Sequence, residues 1–242
     1  MDTVLERELR NLRLYSGFLT VVVLGCLATC SYLVVERHRL GQVDVDRINV
    51  REKSGKLDLV ISNGELMPPA IVGGKAFPNG RRSPGLLFYN GKGDEDGGLA
   101  YTSETDSSGA YHADGQLMFD QYNQDQSVGI VYEDNNGVRA SGLRVWDRGQ
   151  VPIDQVLHKL DGLQGDQRKA MVMKLRDAGE LGTNRVFVGR SPDKSANVTL
   201  MDGHGKPRLI LSVGDAGVAQ IQFLDENGKV VSTLPAQTGA KH

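Results

Sequence analysis

Apolar residues along this chain fall into three patterns: one long uninterrupted run, many strand-length runs, and one stretch at helical spacing. The long run is Gly17 to Val35, GFLTVVVLGCLATCSYLVV, which holds no charged residue and is bracketed by Arg13 and Glu36. A bilayer core about 30 Å thick needs roughly 20 apolar residues of helix to cross it. Within lipid, a helix is the single-segment structure that satisfies every backbone N–H and C=O. A transmembrane helix is therefore predicted over 17–35, preceded by a tail of residues 1–16. A signal peptide would need a basic leader, a shorter apolar stretch of about 7–15 residues and a small-residue cleavage site. Here Asp2, Glu6 and Glu8 balance Arg7, Arg10 and Arg13, and no such site follows Val35. Val23-Leu24-Gly25-Cys26 looks like a lipobox, but the apolar run continues to Val35 where a lipoprotein turns polar.

Beyond the span, short apolar runs alternate with polar turns carrying a late glycine. LDLVIS (57–62), GLLFYN (85–90), SVGIVYE (127–133), GLRVWD (142–147), NVTLMD (197–202), PRLILSV (207–213) and AQIQFLD (219–225) read as strands. The turns Glu52–Lys56, Asn90–Asp94, Asp134–Val138, Asp202–Lys206 and Asp225–Lys229 share the form acid-or-Asn, two residues, Gly, one residue. That form is a type I turn ending on a residue of positive φ, so Gly55, Gly93, Gly137, Gly205 and Gly228 are expected there. VTLMDGHGKPRLIL and IQFLDENGKVVSTL repeat the unit weakly.

One stretch breaks the strand pattern. Ile153, Val156, Leu157, Leu160 and Leu163 share a helical face, and Met171, Val172, Leu175 and Ala178 share another after Gln164-Gly165. The predicted class is mainly β: the N-terminal transmembrane helix, then an antiparallel hairpin-repeat β domain (sandwich, barrel, propeller or solenoid) with a helical hairpin insertion. The boundaries are a β region over 43–150, the helical hairpin over 151–183, a C-terminal β region over 184–236 and a patternless tail over 237–242.

Charge and cysteine content narrow the setting. The 28 basic and 30 acidic residues nearly cancel, leaving no basic field for nucleic acid. Both cysteines, Cys26 and Cys30, lie in the span, so the large domain has no disulfide and no thiolate metal site. Such a domain outside the cytoplasm is ordinary in bacteria. Arg7, Arg10 and Arg13 before the span face Arg37, Arg39, Arg47 and Arg51 after it, so local charge does not set the orientation. A short tail before a long domain is the signal-anchor arrangement, which places the domain outside the cytoplasm.

GLLFYNGKGDEDGGLAY, LMFDQYNQDQSVGIVYEDNNGVRASGLRVWDR and RVFVGRSPDKSANVTLMDGHGKPRLIL together resemble a group of uncharacterised bacterial proteins. These have one N-terminal membrane helix and the same Gly- and Asp-rich β region. The resemblance implies a bacterial membrane-anchored protein and brings no activity or catalytic residue with it; the expected location is the bacterial inner membrane, crossed once.

Candidate chemistry is sparse. There is no phosphate-binding loop, no nucleophile elbow and no His-Glu-x-x-His, and the five histidines are scattered, so no metal or cofactor is expected. Asp94-Glu95-Asp96 with Asn90 could offer oxygen ligands, but it departs from the EF-hand spacing. The segment Phe119–Gln126 is the densest in polar groups. Asp120 and Asp125 could form an acid and base pair as in glycoside hydrolysis. Asp120, Tyr122, Asn123 and Asp125 could instead bind a polar or sugar ligand, or the amides could simply tie strand ends together. The expected function is a membrane-anchored, non-enzymatic extracytoplasmic interaction or structural protein, an accessory subunit of an envelope complex. The alternative is an envelope carbohydrate-active hydrolase using Asp120 and Asp125.

The anchor carries its own pattern. Leu5, Leu9, Leu12, Ser16, Leu19, Val23, Cys26, Cys30 and Leu33 recur at the 4-3 spacing of a heptad seam. Its small residues would let helix backbones approach within lipid, so homo-oligomerisation through this seam is expected.

Overall fold

The computed structural model of the chain describes residues 2–37, 42–77 and 83–235. It divides into two units, residues 1–45 and 46–242. The first is one unbroken helix, α1 (Asp2–Arg37), long and apolar enough to cross a membrane. Every residue of the expected seam lies on it, and all are exposed.

The second unit is built on β-structure. Its strands are β1 (Arg47–Arg51), β2 (Leu57–Ser62), β3 (Ala70–Val72), β4 (Lys75–Phe77), β5 (Gly85–Tyr89), β6 (Glu95–Thr105), β7 (Tyr111–Asp120), β8 (Gln126–Asn135) and β9 (Val138–Asp147). The helices α2 (Ile153–His158) and α3 (Gly165–Asp177) follow, then β10 (Thr183–Arg190), β11 (Ala196–Met201), β12 (Pro207–Val213), β13 (Ala219–Leu224) and β14 (Val230–Leu234). Apart from the β3–β4 ribbon, all strands join one 12-stranded antiparallel sheet in chain order. The expected hairpin-repeat β domain with its helical hairpin is thus present. The sheet is open, with β1 and β14 at its two edges, which rules out the barrel among the architectures expected. β9 pairs directly with β10, so the strands before and after the helices belong to the same sheet. The tail 237–242 lies outside the described residues.

The turns explain how so many strands stay in step. Eight connections use the same closure, in which the first residue's N–H donates to the fifth residue's carbonyl and the fourth residue's N–H donates back to the first. They are 52–56, 90–94, 106–110, 121–125, 191–195, 202–206, 214–218 and 225–229. In seven the fourth residue has positive φ: Gly55, Gly93, Gly109, Lys194, Gly205, Gly217 and Gly228. Where the first residue is Asn90, Asp106, Asp202 or Asp225, its side-chain oxygen also accepts the third and fifth amides, which selects Asx at that position. Asn136 and Gly137, with φ of 51° and 87°, form instead a two-residue turn between β8 and β9. Four of the five glycines expected at positive φ sit in the common closure, and Gly137 sits in this tighter one.

Among the described residues two small cores form. Val60, Leu87 and Tyr89 pack with Leu57, Met67 and Ile71, which brings the loop after β2 and the β3–β4 ribbon onto one sheet face. Val156, Leu160 and Leu175 close the helical hairpin, with Met171, Val172 and Leu181 around them.

Candidate functional site

The polar segment singled out in the sequence is the turn between β7 and β8. A register shift between Phe119 and Asp120 ends the β7–β8 ladder and re-aims the Asp120 side chain. Asn123 takes a positive φ of 57°, and its carbonyl accepts the Ile153 amide at 2.9 Å, at the start of α2. The Gln124 side-chain amide donates to the Val151 carbonyl, and that of Gln121 to the Gly149 carbonyl. The amides of this segment therefore dock the helical hairpin against the strand ends. Across from it, the Gly74 amide donates to the Asp94 carboxylate at 2.7 Å, fixing the tip of the β3–β4 ribbon.

These elements enclose a cleft of about 680 Å³. Asp120, Asn123 and Asp125 line it together with Lys92, Glu95 and Asp154. Tyr122 is 58% exposed and does not line the cleft; its ring instead carries the Lys92 ammonium 4.9 Å from its centroid. Asp125 faces Arg148 at 3.4 Å, and that guanidinium also donates to the Gln126 carbonyl and lies over Trp146. Asp120 has no such partner: its Oδ1 is buried without a hydrogen bond. Burial first, then the neighbouring charges of Asp125, Glu95 and Asp96, push its carboxyl up to about 7. The cleft thus holds one carboxyl biased towards its neutral form and one paired with a cation. Among the described residues no group of three His, Cys, Asp or Glu side chains could hold a metal ion. The Asn90 oxygen weighed as a Ca²⁺ ligand is taken by the amides of Lys92 and Asp94.

A second surface is larger. Strand pairing aligns one branched aliphatic residue per strand into a row across the whole sheet. It runs through Ile48, Ile61, Leu86, Leu99, Leu117 and Ile130, and continues through Leu143, Val188, Val198, Leu211, Ile221 and Leu234. Beside it runs a second row: Val50, Leu59, Phe88, Gly97, Phe119 and Val128, then Val145, Val186, Leu200, Leu209, Phe223 and Ser232. The Phe88 and Phe119 rings stack at 5.9 Å, from the strands on either side of Gly97. Much of this face is open to solvent: Ile130 is 58% exposed, Leu234 50% and Leu211 38%, while residues such as Leu86, Leu117 and Val198 are half-buried. The opposite face differs. Its central row mixes Asn49, Arg144, Thr199, Gln222 and Thr233 with apolar residues and the glycines Gly98 and Gly129.

The sequence alone missed Lys92 and Asp154 in the cleft, Arg148 beside Asp125, and both apolar rows. Alternation within each strand marks which face is apolar. The rows become visible only when the strands are set side by side with the turn closures as the ruler.

No protein-family model matches the chain, and no curated protein matches it.

Proposed function

We propose that this is a membrane-anchored, non-enzymatic interaction or structural protein of a bacterial envelope, with the sheet on the extracytoplasmic side. It would serve as an accessory subunit of an envelope complex, held in the inner membrane by α1. The observation that carries the reading is the open apolar face. Monomeric soluble proteins rarely expose contiguous apolar patches beyond about 300–600 Å², and larger ones mark interaction surfaces. Two adjoining rows spanning twelve strands exceed that range, with no enzyme motif beside them. The resemblance of the β region to single-pass bacterial membrane proteins supports the location. A reporter fused after His242 is expected to behave as exported, and protease added to spheroplasts to digest the sheet while sparing residues 1–16. A reporter active in the cytoplasm would overturn the orientation.

A second reading rests on the cleft. Asp120 and Asp125 both line it, and an acid kept neutral near a second carboxylate is the arrangement of glycoside hydrolysis. This supports an envelope carbohydrate-active hydrolase as the alternative.

A further inference from the structure

Resting on the reading of the open face as an interaction surface, we propose that its occupant is a second copy of this chain, laid rung against rung along the aliphatic row. Strands in a sheet are spaced about 4.8 Å apart, so a row of twelve rungs is roughly 53 Å long. Its partner must offer apolar contacts at that spacing over that length. An α-helix laid along the row contacts it about every 5.3 Å and drifts out of step within a few rungs. A second sheet of the same twelve strands keeps step throughout.

The area suits a stable assembly. The two rows expose on the order of 1,000 Å² of apolar side chain per chain, against about 800 Å² per partner in a standard stable interface. The margin beside the aliphatic row is wrong for a lipid surface, which is rimmed by Lys and Arg. The row flanking the aliphatic one runs Tyr101, Gly115, Tyr132, Ser141, Arg190 and Ala196, with a single cation. That cation, Arg190, donates to the Arg139 carbonyl at 2.6 Å.

Copies carrying the same N-terminal anchor enter the bilayer in the same sense, so a rotation axis along the membrane normal relates them. In the proposed pairing the two rows run parallel, β1 beside β1. Each rung then faces its own counterpart.

The test uses the full chain in native membranes, with Cys26 and Cys30 replaced by Ser and one cysteine introduced at Ile61, Ile130, Leu211 or Gln222. Facing sheets pack about 10 Å apart, beyond the roughly 7 Å between Cα atoms that a direct disulfide tolerates, so a bis-maleimide with a reach of about 8 Å is the probe. Cysteines at Ile61, Ile130 and Leu211 are expected to shift the band from monomer to dimer. A cysteine at Gln222, on the opposite face, is expected to leave it monomeric. Equal crosslinking at all four positions, or none at the three row positions, would overturn the proposal. If the uncrosslinked row cysteines still resist a small maleimide, another occupant covers the face and the interaction reading survives. If they react freely, both fail. In the chain carrying the cysteine at Leu211, a further Ile130→Asp is expected to abolish the crosslink, and an unchanged dimer band would count against the proposal.

Discussion

Replacing Gly189 by valine is expected to destabilise the sheet by about 3 kcal/mol or more, through overpacking that backbone must absorb. Gly189 of β10 pairs directly with Gly142 of β9, where the chain rejoins the sheet after the helical hairpin. A Cβ on Gly189 would stand 2.1 Å from the Ser141 carbonyl oxygen and 2.6 Å from the Gly142 Cα. A Cβ on Gly142 would stand 2.4 Å from the Val188 carbonyl oxygen, and the Phe187 ring lies close to both sites. Backbone cannot swing aside as the end of a flexible side chain can, so the β9–β10 ladder itself must open. Gly203 supplies the control, since a Cβ there meets nothing within 4 Å. Chemical denaturation of the full chain in detergent would show the loss for Gly189→Val and a change within about 0.5 kcal/mol for Gly203→Ala. A loss below about 1 kcal/mol for Gly189→Val would mean that the two strands do not meet as described.

The second large effect depends on pH. The Asp120 carboxyl is raised in the folded state to about 7, while in the unfolded chain it titrates near 4. Its contribution to stability is therefore fully present below pH 4 and is lost as pH rises through about 7. Asp120→Asn removes that loss. The variant is expected to match the parent near pH 4 and to exceed it at pH 8 by about 2 kcal/mol, after discounting for solvent in an open cleft. Asp106 and Asp202 sit below the usual carboxylate range, held there chiefly by hydrogen bonds from Ser108 and from the Lys206 amide. Their contributions disappear only as pH falls below about 4, outside this window. His112, raised chiefly by its hydrogen bond to Asn135, loses its contribution as pH rises, in the same direction as Asp120. It is common to both proteins and cancels in the difference. Denaturation midpoints at pH 4, 6 and 8 would show a gap that opens with pH, and a constant gap would contradict the cause assigned to Asp120. The same variant tests the hydrolase reading: cleavage of an envelope polysaccharide by the parent, abolished in Asp120→Asn, would establish it.

What the sequence made legible was local. A glycine needed at positive φ, an Asx whose oxygen gathers two amides, and a helical face written at 3.6-residue spacing each sit within a few consecutive residues. That is why Gly93, Gly205 and Gly228 and the stretch 153–177 could be placed from the letters alone. Lys194 takes the same backbone position without being glycine, so its turn escaped the pattern. The segment Asp120–Asp125 stood out because its polar groups are crowded into one turn. Its surroundings did not, because Lys92 comes from the β5–β6 turn and Asp154 and Arg148 from the β9–β10 connection, which only the folded sheet brings to it. The aliphatic rows were hidden for a sharper reason. A one-residue shift in pairing moves a whole strand's side chains to the other face. Shifts occur at Val50/Arg51, Phe88/Tyr89, Phe119/Asp120 and Asn184/Val186, so parity cannot be carried along the chain by counting.

The central claim is that the open apolar face is covered when the protein is in its membrane. The most direct measurement is the rate at which a small maleimide labels single cysteines at Ile130 and at Asn227, in the full chain lacking Cys26 and Cys30, in native membranes. Asn227 lies exposed in the turn between β13 and β14 and reports free access. The expected result is rapid labelling at 227 and protection at 130 that is lost only in denaturant. Labelling at 130 as fast as at 227 would show a bare face and contradict the account.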